Sequence, residues 1–174
     1  MFGVNSWNGT SAVVVVALFA GAGTGAVVDL ARRRIPNTVS VATAAAGVVL
    51  AAVGASDVTV PSSLLGFAVG LLLMLPGHVL GATGAGDVKL FAAAGAVLGA
   101  ARVLQAFVLV AVAGGVLALG VAWWRGRLGR TMAHTVRLCG RPLVTRPLIE
   151  APTEQNRFPY GPAIAVGSVL AALL

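Results

Sequence analysis

The sequence has few charged residues for its length and almost no cysteine. Asp, Glu, Lys and Arg make up 10% of its 174 residues, whereas a soluble domain carries about 25%. This shortage excludes a soluble globular domain, a disordered tail and a nucleic-acid-binding module. The single cysteine, Cys139, excludes an intramolecular disulfide, and without a CxxC pair we expect no zinc site. We expect no other metal and no cofactor.

Apolar residues are abundant instead, at 58% of the chain with a mean hydropathy of +0.95. A bilayer core of about 30 Å needs about 20 of them in one helix. The sequence predicts spans near residues 11–31, 38–54, 64–80 and 160–174, with 88–124 crossing twice and dividing near Gly99 to Arg102. We therefore predict an all-α polytopic membrane protein of about six transmembrane helices, forming one domain over residues 1–174.

The basic residues predict the orientation of these helices. The net charge is +7, and cytoplasmic loops carry an excess of Lys and Arg. With the Arg32–Arg34 loop in the cytoplasm, six passes place every basic residue except Arg102 on that side and both termini outside. Trp123 and Trp124 end the fifth span with the aromatic residues typical of a membrane interface.

The polar segment of about 125–159 is then a basic cytoplasmic connection between the fifth and sixth spans. Arg127, Arg130, His134 and Arg137 share one helical face in it, opposite apolar residues. This spacing over 125–141 is typical of an amphipathic helix on anionic lipid. A solvated positive loop is the simpler interpretation.

Glycines spaced four residues apart occur in the third and fourth spans, as Gly66 with Gly70 and Gly95 with Gly99. Such spacing lets helix backbones approach closely. We expect these pairs to serve helix packing.

Two of the five acidic residues occupy unusual positions. Asp29 lies in the last turn of the first span, where a carboxylate is costly and opposes the helix dipole. Asp87 follows the glycine loop 81–86 and begins a helix. Simpler roles exist, as a partner for the adjacent arginines and as an N-cap. The predicted topology places both at cytoplasmic helix ends, where two carboxylates in a partly dry site can share a proton and activate water against an amide.

Three segments carry a resemblance to a known family. They are Asp29-Leu-Ala-Arg-Arg-Arg-Ile-Pro36-Asn37, Gly84-Ala-Gly86-Asp87-Val-Lys89-Leu and the later Pro159-Tyr-Gly-Pro-Ala163. Together they resemble the type IV prepilin peptidases, the GxGD membrane aspartyl proteases. The resemblance implies a membrane-embedded endopeptidase that removes the short basic leader of prepilins or pseudopilins at the cytoplasmic face of a prokaryotic cell membrane.

The resemblance also implies roles for individual residues. Asp29 and Asp87 would be the catalytic pair. Gly84 and Gly86 would let the backbone approach the substrate, and Pro36 and Asn37 belong to the first motif. Lys89 would either orient a carboxylate or mark the positive interface, and we favour the interface. The motif support residues are thus Gly84, Gly86, Lys89, Pro36 and Asn37.

One departure separates this chain from longer family members. Those carry an N-terminal region with paired CxxC motifs and also methylate the new N-terminus. With one cysteine, this chain resembles a short form, a peptidase without methyltransferase activity. Expected partners are a prepilin or pseudopilin, membrane lipid and pilus or secretion assembly proteins, with no nucleic acid.

Two alternatives stay open. A small proton-coupled transporter could use the same two aspartates as proton sites. An inert helical subunit of a secretion apparatus is the other.

Overall fold

A computed structural model of the protein describes residues 9–32, 34–81, 83–124 and 160–174. Every regular element in these ranges is a helix, which confirms the predicted all-α class. The helices are α1 (Gly9–Arg32), α2 (Asn37–Ala52), α3 (Val60–Val79), α4 (Ala85–Trp124) and α5 (Gly161–Leu173). The predicted amphipathic segment, with Cys139, lies outside the described residues.

Within the described ranges, three stretches are long and apolar enough to cross a membrane: Ala12–Arg32, Val60–Val79 and Ala85–Val121. Helices α2 and α5 are shorter apolar helices. Large hydrophobic side chains point outward, for example Phe19 at 68% exposure and Leu72 at 62%. An apolar exterior over most of the bundle is typical of helices solvated by lipid, so the described helices form an all-α membrane protein.

Helix α2 begins one residue before the predicted span of 38–54. Pro36 is the N-cap, with extended backbone at φ −63° and ψ 141°. Asn37 is its first residue, and no side chain caps this end. The Asn37 side chain accepts a hydrogen bond from Lys89 Nζ, as described below.

Helix α4 is broken at Gly99, as the sequence predicted. Gly99 has φ 76° and ψ 171°, a backbone conformation that glycine adopts readily and other residues rarely. Two serines of α3 bind backbone groups beside the break: Ser62 Oγ accepts from Ala100 N at 3.2 Å, and Ser63 Oγ donates to Ala96 O at 2.7 Å. These bonds pair groups that a broken helix leaves without its usual partners.

The two glycine pairs bring α3 and α4 into backbone contact. A Cβ on Gly66 would overlap the carbonyl oxygen of Gly95, and a Cβ on Gly95 would overlap that of Gly66. Further along, a Cβ on Gly70 would lie 3.1 Å from Ala92 Cα. The predicted packing role of these glycines is confirmed.

The first half of α4 is the centre of the bundle. Its residues from Leu90 to Leu98 are all buried, because α1, α2, α3 and α5 all pack against α4. The core includes Leu18 of α1, Phe91 of α4 and Ile164 of α5, each fully buried. This arrangement gathers the end of α1 and the starts of α2, α4 and α5 at one end of the bundle.

Candidate active site

Asp29 is buried at the end of α1, with 6% of its surface exposed. Its Oδ2 accepts a hydrogen bond from the backbone N–H of Gly161 at 3.0 Å, across 132 residues of sequence. Gly161 is the first residue of α5, so its N–H is one of the amides that a helix start leaves without an intrahelical partner. The positive end of the α5 dipole therefore faces the Asp29 carboxylate.

The contact between α1 and α5 also requires glycine at position 161. A Cβ there would lie 3.0 Å from both Cβ and Oδ2 of Asp29, and 3.1 Å from Ala26 Cα. A side chain on Gly161 would therefore push α5 away from the carboxylate.

Asp87 is buried in the first turn of α4, with 8% exposed. Because α4 begins at Ala85, Gly84 is the N-cap and Asp87 is the third helical residue. Asp87 Oδ2 accepts from Gly84 N at 3.1 Å, the way in which an acidic side chain at this position binds the N-cap amide. The glycine loop predicted over 81–86 therefore ends earlier, because Gly86 and Asp87 are already helical, and the simpler interpretation of Asp87 as an N-cap is wrong.

Tyr160 packs its ring on Gly114 of α4 and lies at the start of α5. It is half-buried and is the N-cap residue of that helix. Because the next residue, Gly161, binds the Asp29 carboxylate, Tyr160 lies at the same end of the bundle as Asp29.

The motif support residues tie the α1–α2 connection to the start of α4. A Cβ on Gly86 would lie 3.1 Å from Ile35 Cβ, so Gly86 packs closely on the residue before Pro36. Lys89 Nζ donates to Asn37 Oδ1 at 3.1 Å. The sequence allowed two roles for Lys89, orienting a carboxylate or marking the positive interface, and we favoured the interface. The hydrogen bond found in the structure joins Lys89 to Asn37 of the first motif.

Glycine at position 84 has its own structural reason. A Cβ there would lie 3.0 Å from Asp87 Oδ2. A larger residue at position 84 would therefore crowd the Asp87 oxygen that accepts a hydrogen bond from the amide of position 84.

Sequence reasoning missed the part played by the start of α5. The segment that contains Tyr160 and Gly161 was one of the three that resemble the family, but neither residue was given a role. Gly114, on which the Tyr160 ring packs, was not considered. One signal was available, since Tyr160 is the only tyrosine of the chain. The contact with Gly114 depends on tertiary packing and has no sequence signal.

Comparison with known proteins identifies a family. The model of the type IV leader peptidase family matches residues 11–119, a range that contains both aspartates and both motif segments but ends before Tyr160. No curated protein and no solved structure matches the chain. Since the match covers more than half of its residues, the chain belongs to the type IV leader peptidase family.

Proposed function

We propose that this chain is a membrane-embedded aspartic endopeptidase that removes the short basic leader from type IV prepilins or pseudopilins. Asp29 and Asp87 would be its catalytic pair. The observation that carries the proposal is that the two buried carboxylates, from α1 and α4, lie at the same end of the bundle, where Gly161 N binds Asp29 and Gly86 packs on Ile35 of the α1–α2 connection.

Aspartate pairs hydrolyse amides by sharing a proton. The ionised carboxylate takes a proton from a water molecule, and the oxygen of that water attacks the scissile carbonyl carbon. The protonated carboxyl donates a hydrogen bond to the carbonyl oxygen as negative charge develops on it, and the proton taken from water goes to the leaving amine. Burial of both aspartates supports this chemistry, because a partly dry site discourages simultaneous ionisation of two neighbouring carboxyls.

The site would face the cytoplasm of a prokaryotic cell. Arg32 and Arg34 are exposed at the end of α1 and just beyond it, next to the buried Asp29. Lys89 is exposed in the first turns of α4, close to Asp87. Basic residues at the same bundle end as both aspartates support a cytoplasmic position by the positive-inside tendency.

The basic segment of about 125–159 is not proposed as the leader-binding site. Prepilin leaders are themselves basic, so like charges would repel. Anionic lipid or a pilus-assembly protein is the partner we propose for residues 125–141.

The test is cleavage of a prepilin encoded near this chain in the same genome, with both proteins co-expressed in a host that lacks such a peptidase. Loss of the leader is read as a gel shift, and the mass of the product gives the cleaved bond. Asp29→Asn and Asp87→Asn should each abolish cleavage while the protein still inserts, because one carboxyl cannot act as both acid and base. Asp57→Asn is the matched control, since Asp57 is exposed in the α2–α3 connection.

Full processing of the prepilin by Asp29→Asn or by Asp87→Asn would contradict the aspartic mechanism. The transporter alternative would then become the better proposal. The product mass also tests a finer expectation, that this chain cleaves without methylating the new N-terminus.

A further inference from the structure

The chain that leads into α4 is hydrogen-bonded to the last turn of α3. Thr83 N donates to Gly77 O at 3.2 Å, and Thr83 O binds the ring nitrogen Nδ1 of His78 at 3.1 Å. Because a carbonyl oxygen carries no proton, Nδ1 is the donor in the second bond. Thr83 is therefore bound to α3 through both its own amide and its own carbonyl group.

Close packing supports this contact between Thr83 and α3. A Cβ on Gly77 would lie 3.2 Å from Thr83 Oγ1 and 3.3 Å from its Cγ2. The Oγ1 atom is buried, whereas the His78 side chain is exposed. The side chain and the backbone of Thr83 are thus both fixed against the end of α3.

The peptide group between Thr83 and Gly84 connects His78 to Asp87. Its carbonyl oxygen, from Thr83, accepts from His78 Nδ1, and its amide, from Gly84, donates to Asp87 Oδ2 at 3.1 Å. The two hydrogen bonds therefore lie in series through one planar group, and hydrogen bonds in series polarise and strengthen one another. A change at the His78 ring is transmitted to the carboxylate oxygen through a single rigid unit.

We propose that His78 is a positioning residue of the peptidase site, whose ring fixes the Asp87 carboxylate through the Thr83–Gly84 peptide group. The inference rests on the proposed function and deepens it. His78 lies in neither motif segment and acts on the carboxylate only through this peptide group. It adds α3 to the helices that serve the site.

The sequence around His78 is consistent with a specific role for its ring. His78 is the one polar side chain between residues 64 and 82, and polar side chains in apolar stretches of membrane proteins are usually paired. A basic residue at a helix C-terminus is also favoured by the helix dipole. That simpler role would affect stability and leave the turnover of substrate unchanged, so the two roles can be separated by experiment.

The kinetic test compares His78→Ala, His78→Asn and Leu80→Ala with the unmodified chain in a purified prepilin cleavage assay. Displacing a catalytic group by about 1 Å can cost about 100-fold in rate, so a shift of a few tenths of an ångström in Asp87 should lower kcat of His78→Ala about three- to tenfold, with KM within about twofold. His78→Asn should restore most of this turnover, because its amide nitrogen takes the place of Nδ1 and can donate to Thr83 O. Leu80→Ala, which shortens an exposed side chain near the same helix end, should cleave normally.

A second measurement does not depend on cleavage. His78 and His134 are the two histidines of the chain, so His134→Gln leaves His78 as the single histidine in the NMR spectrum of nitrogen-labelled protein in detergent. The neutral ring of His78 should carry its proton on Nδ1, because the hydrogen bond that one ring nitrogen makes determines which nitrogen is protonated. A neutral ring protonated on Nε2 would mean that the bond to Thr83 is absent.

Normal kcat in His78→Ala would overturn the inference, as would a loss confined to KM, a His78→Asn variant as slow as His78→Ala, or a neutral ring protonated on Nε2. These outcomes leave the proposed function intact if the unmodified chain cleaves prepilin. If the unmodified chain cleaves nothing, the proposed function itself fails, and the NMR measurement still tests the bond between His78 and Thr83.

Discussion

Lys89 and Asn37 are joined by a hydrogen bond of 3.1 Å between Nζ and Oδ1, across 52 residues of sequence. Each residue belongs to one of the two motif segments, and each lies at the start of a helix, α4 or α2. The bond therefore links the two stretches of chain that carry Asp29 and Asp87. Gly86 packs on Ile35 in the same region, so the segments meet through both a polar and an apolar contact.

We expect the Lys89–Asn37 bond to contribute modestly to stability. Both side chains are exposed, so Lys89→Met or Asn37→Leu should lower the free energy of unfolding by about 1 kcal/mol or less. Each variant should slow prepilin cleavage without abolishing it, because the Gly86–Ile35 contact remains. In a double-mutant cycle on melting temperature and cleavage rate, the two losses should be less than additive. Strict additivity would mean that the two side chains act independently.

Gly86→Val should damage cleavage more than it damages folding. Its Cβ would already lie 3.1 Å from Ile35 Cβ, so a branched side chain would move the start of α4 away from the α1–α2 connection. Displacing a catalytic group by about 1 Å can cost about 100-fold in rate, and we expect a loss of that order in kcat. Ala85→Val is the control, since Ala85 is exposed in the same helical turn. Equal rates for the two variants would contradict the proposed role of the Gly86–Ile35 contact.

Gly66→Ala and Gly95→Ala should destabilise the bundle. Each added methyl group would overlap the facing carbonyl oxygen, and overpacking of this kind costs about 1–3 kcal/mol or more. The measurements are the yield of folded protein in detergent and the melting temperature. Gly120→Ala adds a methyl group to α4, the helix of Gly95, at a position where nothing lies within 4 Å. This control variant should therefore behave as the unmodified chain. A normal melting temperature for Gly66→Ala would show that α3 and α4 can separate without cost.

Topology can be measured with tags. Tags at either terminus should be accessible from outside the cell, and a tag near Arg141 only from the cytoplasm, because the basic residues favour that side. A signal from outside at Arg141 would overturn the cytoplasmic placement of the site.

The helices were predictable where a local signal exists. The apolar runs gave the class and the approximate helix bounds, and the division of α4 near Gly99 followed from its length and the basic residues. The aspartates were recognised because a carboxylate is rare in an apolar chain. Helix starts were less accurate: α3 begins at Val60, earlier than predicted near residue 64, because Thr59 accepts from Ser62 N and Pro61 fits the first turn.

What the sequence could not predict are contacts between distant segments. The Gly161 amide bound to Asp29, the Lys89–Asn37 bond and the packing of Tyr160 on Gly114 each depend on how helices pack. Polar pairs of this kind have no periodicity in the sequence. A lysine that binds an asparagine looks the same in the sequence as one that faces phosphate headgroups.

The contact of Tyr160 with Gly114 has a consequence for the reach of the substrate. Helix α4 continues for about ten residues beyond Gly114 to Trp124, a distance of about 15 Å at 1.5 Å per residue. The last turns of α4, up to Trp123 and Trp124, therefore extend past the level of Tyr160 and of the Asp29 carboxylate that binds the next residue. An extended peptide covers about 3.3 Å per residue, so about four or five residues can lie alongside the end of α4 before a peptide bond reaches the carboxylates. The number of residues between the leader's charges, held at the surface, and its scissile bond would then determine which bond is cut.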